Sequence, residues 1–177
     1  SLKGGSGKST LTFNLGIWLL AAQQSVQAYD LDPQATLSDV VAVRREERVK
    51  PQLRLTPWPT DPQQLRAAAE AGEVLIDVGT AALETMKQAF RVADRVIVPV
   101  PPSQADLWST QRFIKLIRES TLTMPEILVF INRADTQPTV RETAETAAAL
   151  VTLPQARFIK RRLGLRTAFR RSFSEGL

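Results

Sequence analysis

The sequence predicts an α/β fold, a mostly parallel β-sheet with helices on both faces, and three observations carry that prediction. Short runs rich in Val and Ile alternate with longer helical stretches. Those runs are apolar on both sides, as strands buried on both faces must be. A glycine-rich loop stands directly before the first helix. Alternation with short punctuation is what a parallel sheet requires, since each parallel pair needs a crossover.

Taken in order, the elements justify themselves. A helix runs from Ser9 to about Gln23, opened by the glycine loop. Val26–Asp30 is a buried strand. The segment Val49–Pro59 is punctuated by proline and includes a short strand near Leu53–Thr56. Asp61–Ala71 is a helix with an Asp cap, Pro62 in its first turn and Gly72 at its end. Val74–Val78 and Arg95–Val100 are further strands. Ala105 to about Ser120 places Leu107, Ile114 and Ile117 on one helical face and stops before Pro125. Ile127–Asn132 is a strand, and Thr139–Val151 is an Ala-rich helix. A last helix, Leu163–Phe173, carries Leu165, Phe169 and Phe173 at four-residue spacing. There is no internal repeat and no disordered linker, so 1–177 is expected to be one domain with a basic C-terminal segment at 157–177.

Composition excludes several chemistries. The 177 residues contain no cysteine, which removes disulfides, thiolate zinc sites and iron–sulfur clusters. They contain no histidine, which removes His-based acid–base chemistry and His ligands. No apolar run approaches the ~18–20 residues of a membrane span. The net charge of +5 is unevenly placed. Residues 1–156 hold 16 basic and 17 acidic groups, whereas 157–177 hold seven basic and one acidic. The whole positive excess lies in the last 21 residues.

Lys3-Gly4-Gly5-Ser6-Gly7-Lys8-Ser9-Thr10 takes three of the chain's eight glycines. Glycine permits φ > 0, so successive N–H groups can turn inward as an anion nest capped by the following helix. In such a loop Lys8 faces the β- and γ-phosphates, the Ser9 hydroxyl joins a Mg²⁺ shell, and Thr10 reaches the α-phosphate. The strict pattern G-x-x-x-x-G-K-[ST] is not met, because Leu2 stands where its first Gly belongs. Such loops are fed by a buried strand, and only Ser1 and Leu2 precede this one. A sheet lacking its central first strand is therefore expected.

KGGSGKST resembles the deviant phosphate loop of the ParA/MinD group of P-loop ATPases, and further matches follow in order. YDLDPQATL at 29–37 is similar to that group's second nucleotide motif, and VLIDVGT at 74–80 to its Mg²⁺-side Asp strand. Val78-Gly79-Thr80 departs from the Thr-Pro or Cys-Pro usual after this Asp. ADRVIVPVPPSQADLWST at 93–110 and RTAFRRSFSEGL at 166–177 resemble the partition ATPases in particular. Family members continue for about one helix past this last motif, so the domain is expected to be trimmed at both ends.

The resemblance implies a doubly wound P-loop NTPase with ATP and Mg²⁺ as cofactors. Gly4, Gly5, Ser6, Gly7, Lys8, Ser9 and Thr10 would hold phosphate. Asp77, at the carboxyl edge of a parallel strand, would hold Mg²⁺ through water with Ser9. Asp30 and Asp32, two residues apart at a strand end, would share a face. The resemblance makes Asp32 the residue that orients the attacking water and Asp30 a support for metal or loop. Capping of the turn at Pro33-Gln34 is the competing role for either. Lys3 is similar to the signature lysine that reaches a partner subunit's nucleotide, which would make dimerisation depend on ATP and be released by hydrolysis. Lys3, Lys8 and Asp32 form the expected catalytic set. Asn132 matches the adenine-recognising Asn, with an ordinary turn Asn as the alternative.

In the tail, Arg157, Lys160, Arg161, Arg162, Arg166, Arg170 and Arg171 form the basic cluster. On a helix from Leu163, Arg166 and Arg170 would lie one turn apart, in line with Arg162 and beside the stripe Leu165, Phe169, Phe173. The apolar stripe would dock and the basic one would face solvent. Such a face neutralises phosphates without reading bases. A solvated face without a partner, attachment to anionic membrane as in the MinD branch, and RNA binding are the alternatives. The expected function is a cytoplasmic, nucleoid-associated ATPase, weak until stimulated, that forms an ATP-dependent homodimer and binds DNA non-specifically. A ParB-like or other adaptor would release it, so positioning a plasmid, chromosome region or protein cargo. A membrane-associated positioning ATPase and an ATP-dependent synthetase on the same scaffold are the competing readings.

Overall fold

The computed structural model describes residues 5–135 and 141–177. In chain order the elements are α1 (Lys8–Ala21), β1 (Val26–Asp30), α2 (Thr36–Glu46), α3 (Pro62–Ala71), β2 (Glu73–Asp77) and α4 (Leu83–Val92). β3 (Arg95–Val100), α5 (Gln104–Ser120), β4 (Glu126–Ile131), α6 (Glu142–Val151), β5 (Arg157–Ile159) and α7 (Thr167–Ser174) follow. The chain is an α/β protein, and every strand pair among the described residues is parallel. The strands form two sheets, one of two strands in the order β1-β2 and one of three in the order β3-β4-β5. Ser1–Leu2 lie outside the described residues.

Two compact units contain these sheets. The first is built from Lys8–Thr85 with Thr167–Leu177. Its core is Phe13 of α1, Ala28 of β1, Leu37 and Val40 of α2, and Leu53. Gly16 on α1 gives Leu53 room, since a Cβ there would lie 2.9 Å from a Leu53 methyl. Leu55 bridges to Ala28, so the short strand expected near Leu53–Thr56 is present as one isolated bridge. In register, Val26 faces Glu73 and Asp30 faces Asp77, so the two aspartates end neighbouring strands side by side.

Among the described residues, the second unit contains those of 86–166 together with 5–7. Val98 and Val100 of β3, Ile127, Val129 and Ile131 of β4, Ile117 of α5 and Leu150 of α6 are buried, most of them completely. Phe90 meets Phe113 edge-on at 5.4 Å. Continuous burial along β4 is what a two-faced strand needs, and it explains the unbroken apolar run Ile127–Ile131.

The expected caps form. The Asp61 carboxylate accepts from the Gln63 N–H at 2.9 Å and starts α3, while Gly72 closes it. Gly72 must be glycine for another reason, because a Cβ would sit 2.5 Å from the Ser25 carbonyl oxygen. That close approach lets Glu73 N–H donate to Ser25 O, so β2 begins one residue earlier than expected.

Three elements, α2, α4 and β5, were not anticipated. In α2 the inward positions are Leu37, Val40 and Arg44, and the arginine disguises the apolar face. Arg44 is only 4% exposed, and its guanidinium donates to the carbonyls of Pro51 (2.7 Å), Lys50 (3.0 Å) and Gly176. It also lies 5.8 Å from the centre of the Phe13 ring. Gly176, at φ 71°, touches the Arg44 backbone, and Phe173 meets Phe13 edge-on at 5.7 Å. Arg44 therefore fastens the C-terminal segment to α2 and the 50–51 turn. Arg44→Met should leave three carbonyls without their donor and lower stability by about 2–4 kcal/mol in urea unfolding. A loss below about 0.5 kcal/mol would show that the carbonyls find other donors.

Candidate nucleotide and cation site

In the glycine loop, residues 5–7 lie with the unit of β3, β4 and β5. Gly5 has φ 77° and Gly7 φ 91°, both in the left-handed region that the anion-nest reading requires. Lys3 and Gly4 lie outside the described residues. Asn132, just past β4, donates its side-chain amide to the Ser6 carbonyl at 2.8 Å. A Cβ on Gly7 would lie 2.5 Å from that amide nitrogen, so the brace fits only a glycine. The expected adenine contact of Asn132 is thus preceded by a different task, with one amide donor committed to the loop. The Ser6 side chain is 1% exposed and its hydroxyl has no hydrogen-bond partner. An orphaned buried hydroxyl between two left-handed glycines is suited to an anionic ligand.

Lys8 and Ser9 open α1, at the start of the other unit, and the helix N-terminus adds its own positive end. The Thr10 carbonyl accepts from the Asn14 amide at 2.8 Å, an ordinary helix-surface bond. Asp77 ends β2 and is 1% exposed, with neither carboxylate oxygen in a regular hydrogen bond. Burial pushes its pKa up to about 6; the neighbouring Ser9 hydroxyl and Lys8 pull it down, while the Asp30 and Asp32 charges push it further up. Two orphaned carboxylate oxygens beside a hydroxyl are the hard oxygen donors that Mg²⁺ takes, so Asp77 and Ser9 fit that ion. Bound there, it would supply positive charge to neutralise phosphate oxygens.

Asp30 is engaged differently. Its carboxylate accepts from the N–H of Asp32 (3.1 Å), the N–H of Ser38 (2.8 Å) and the Ser38 hydroxyl (2.7 Å). It holds the 31–38 turn and the first turn of α2. Asp32 accepts from the Gln34 N–H at 3.0 Å and is half-buried. Its carboxylate therefore also caps the Pro33-Gln34 turn. Gly79, which in the sequence stands out only as a departure from the family pattern, packs on this group: a Cβ there would lie 2.5 Å from Asp32 Oδ1 and 2.9 Å from its Cα. The departure itself was the signal, since only glycine lets the Asp32 loop approach so closely.

The basic residues are distributed otherwise than expected. A helix from Leu163 does not form; α7 begins at Thr167. Leu163 and Leu165 are extended instead, with Leu163 N–H on Ile131 O (3.0 Å) and Leu165 N–H on Ala134 O (2.9 Å). Arg162 and Arg166 thus precede the helix, and the expected face Arg162, Arg166, Arg170 is not one helical face. Arg157 lies in β5 and pairs with Glu126 at 2.9 Å. Lys160 and Arg161 are exposed beyond it, and Arg170 and Arg171 are exposed on α7. The apolar stripe docks only through Phe173, for Leu165 and Phe169 are about half exposed. No helix among the described residues is long and apolar enough to cross a membrane.

Comparison with known proteins adds to this geometry. The profile of the CobQ/CobB/MinD/ParA nucleotide binding domain matches residues 1–177. The chain is 28% identical over 141 residues to the "Maintenance of carboxysome distribution protein A" of Halothiobacillus neapolitanus, covering 78% of this chain and 65% of that protein. The chain thus spans less than two thirds of this curated relative. Among solved structures, a putative plasmid partition protein of Borrelia burgdorferi B31 bound to AMPPNP aligns at TM-score 0.72 and 20% identity, over 99% of this chain and 86% of the other. Cyanthece apo McdA aligns at 0.74 and 20%, over 100% and 88%. The Aquifex aeolicus MinD cell division protein aligns at 0.73 and 20%, over 99% and 84%. These three likenesses show the shared fold.

The Asp77 shift has a definite sign. A carboxyl whose folded pKa is raised from 3.8 to about 6 contributes stability that is fully present below about 4 and lost as pH rises through 6. In metal-free protein, Asp77→Asn should therefore raise stability at pH 7.5 by about 1–3 kcal/mol relative to its effect at pH 4. Thermal melts of both proteins across this range measure it. A difference that does not change with pH would mean that Asp77 is not held against its charge.

Proposed function

The chain belongs to the CobQ/CobB/MinD/ParA nucleotide-binding domain family, and from that premise we propose that it is an ATPase of the ParA positioning kind. One observation carries the reading. The buried Asp77 carboxylate lies beside Ser9, in the first turn of the helix that the glycine loop opens, and there it offers the hard oxygen donors that the Mg²⁺ of a nucleotide takes. The profile spans both units, which supports reading 1–177 as one domain.

In this reading Gly5, Ser6 and Gly7 surround the phosphates with N–H groups, and Lys8 and the α1 N-terminus neutralise their charge. Ser9 and Asp77 hold Mg²⁺. Asp32, kept in place by the Gln34 N–H and by Gly79, orients the attacking water; Asp30 fixes the turn that carries it. Phosphoryl transfer of this kind rests on positioning and charge, so a chain without histidine suffices. Lys3 reaches the partner subunit's nucleotide, so ATP holds two copies together and hydrolysis releases them. Hydrolysis stays slow until an adaptor protein stimulates it.

The dimer binds DNA without reading sequence, through the exposed Arg170 and Arg171 of α7 and the basic residues at 160–166. The cargo is DNA or a protein assembly. The similarity to a carboxysome distribution protein supports the second of these, and the partition neighbour the first. A membrane reading gains from one observation: Phe169 is exposed on α7 beside Arg170, a composition that also suits an anionic lipid surface.

The test is binding to mixed-sequence duplex DNA, and in parallel to anionic vesicles, with ADP, ATP and a slowly hydrolysed analogue across a salt series. DNA binding should require ATP or the analogue, and Asp32→Ala should prolong the bound state in ATP. Arg170→Glu with Arg171→Glu should weaken DNA binding and reduce the log–log salt slope by about 0.9 for each phosphate that α7 no longer neutralises. Nucleotide affinity should be unchanged. Vesicle binding in place of DNA binding would favour the membrane reading, and DNA binding indifferent to nucleotide would refute the switch.

A further inference from the structure

Arg133 directly follows the brace Asn132. Its backbone is left-handed, at φ 57°, which arginine adopts at a cost of roughly 1 kcal/mol. The turn is fixed on both sides. Asn132 N–H donates to Val100 O at 3.0 Å, Ala134 N–H to Leu163 O at 2.9 Å, and Leu165 N–H returns to Ala134 O at 2.9 Å. This over-determined turn sends the Arg133 side chain to the head of the glycine loop. A Cβ built on Gly5 would lie 3.7 Å from Arg133 Nη1. The guanidinium makes no ion pair or hydrogen bond among the described residues. By contrast Arg95 and Arg157 of the same unit both pair with Glu126.

A cation with no counter-charge among the described residues, set beside a loop with two left-handed glycines, suits an anionic ligand. We propose that Arg133 is a further nucleotide-binding residue, its guanidinium contacting the polyphosphate of the nucleotide held by Gly5–Gly7. This rests on the reading of the loop as a nucleotide site and deepens it. The geometry divides the work of one dipeptide: Asn132 holds the loop's shape through the Ser6 carbonyl, and Arg133 adds the charge that the glycines lack. A guanidinium suits this place because its planar fork bonds two phosphate oxygens at once.

Asparagine tolerates the left-handed backbone, so Arg133→Asn removes the charge while preserving the turn. The experiment is a titration with a fluorescent ATP analogue in Mg²⁺, followed by competition with unlabelled ATP, tripolyphosphate and adenosine, on the wild type, Arg133→Asn and Arg133→Lys. A melting curve checks that each variant keeps the fold. Arg133→Asn should bind ATP and tripolyphosphate about 10- to 100-fold more weakly, with adenosine unchanged, and Arg133→Lys should recover part of the loss. If Arg133→Asn binds ATP as the wild type does, this proposal falls and the nucleotide reading stands. A loss equal for adenosine and tripolyphosphate would place the guanidinium on the base and overturn the assignment to phosphate. A wild type that binds no nucleotide would overturn both.

Discussion

A carboxylate that is 1% exposed and makes no regular hydrogen bond is the constraint around which the strand ends of the β1-β2 sheet are organised. Parallel pairing sets Asp30 and Asp77 side by side at the strand ends, so two negative charges approach in a place that excludes water. The chain resolves the conflict unequally. Asp30 is satisfied by three donors from its own loop and from α2, whereas Asp77 is left with the nearby Ser9 and Lys8. Such an arrangement is unfavourable for an ionised Asp77, which is why burial pushes its pKa up to about 6. Sites that bind charge are commonly strained before the charge arrives.

The other unit shows the same logic with the sign reversed. There the unsatisfied group is the buried Ser6 hydroxyl, between two left-handed glycines, with an amide on the Ser6 carbonyl. Glycine is required twice, at Gly5 and Gly7 for their left-handed φ, and at Gly7 also because Asn132 occupies the space of a Cβ.

Much of this was legible in the sequence because apolar runs buried on both faces leave little ambiguity. β1 and β3 have the expected bounds, and β2 and β4 differ by one residue at each end. The left-handed turns of the glycine loop and the place of Asp77 at a strand end were legible, because glycines before a helix signal φ > 0 and Asp77 closes an apolar run. What stayed hidden was tertiary. In α2 a buried arginine occupies a core position, and the carbonyls that satisfy it come from residues 50, 51 and 176. In the tail, the spacing of Leu165, Phe169 and Phe173 suggested a helix from Leu163. Backbone pairing of Leu163 and Leu165 with Ile131 and Ala134 overrides that propensity and delays α7 to Thr167. Asn132 offered two roles by sequence, and bracing Ser6 was neither. Nothing in the sequence reveals that a residue 126 positions away needs its carbonyl capped.

The central proposal is that the buried Asp77 carboxylate is completed by the Mg²⁺ of a bound nucleotide. Calorimetric titration of ATP into the wild-type chain, once in Mg²⁺ and once in EDTA, tests it most directly. Binding should be at least about 10-fold tighter with Mg²⁺, since the ion would bring the charge that Asp77 lacks. Equal affinity with and without Mg²⁺, or no binding in either, would contradict it.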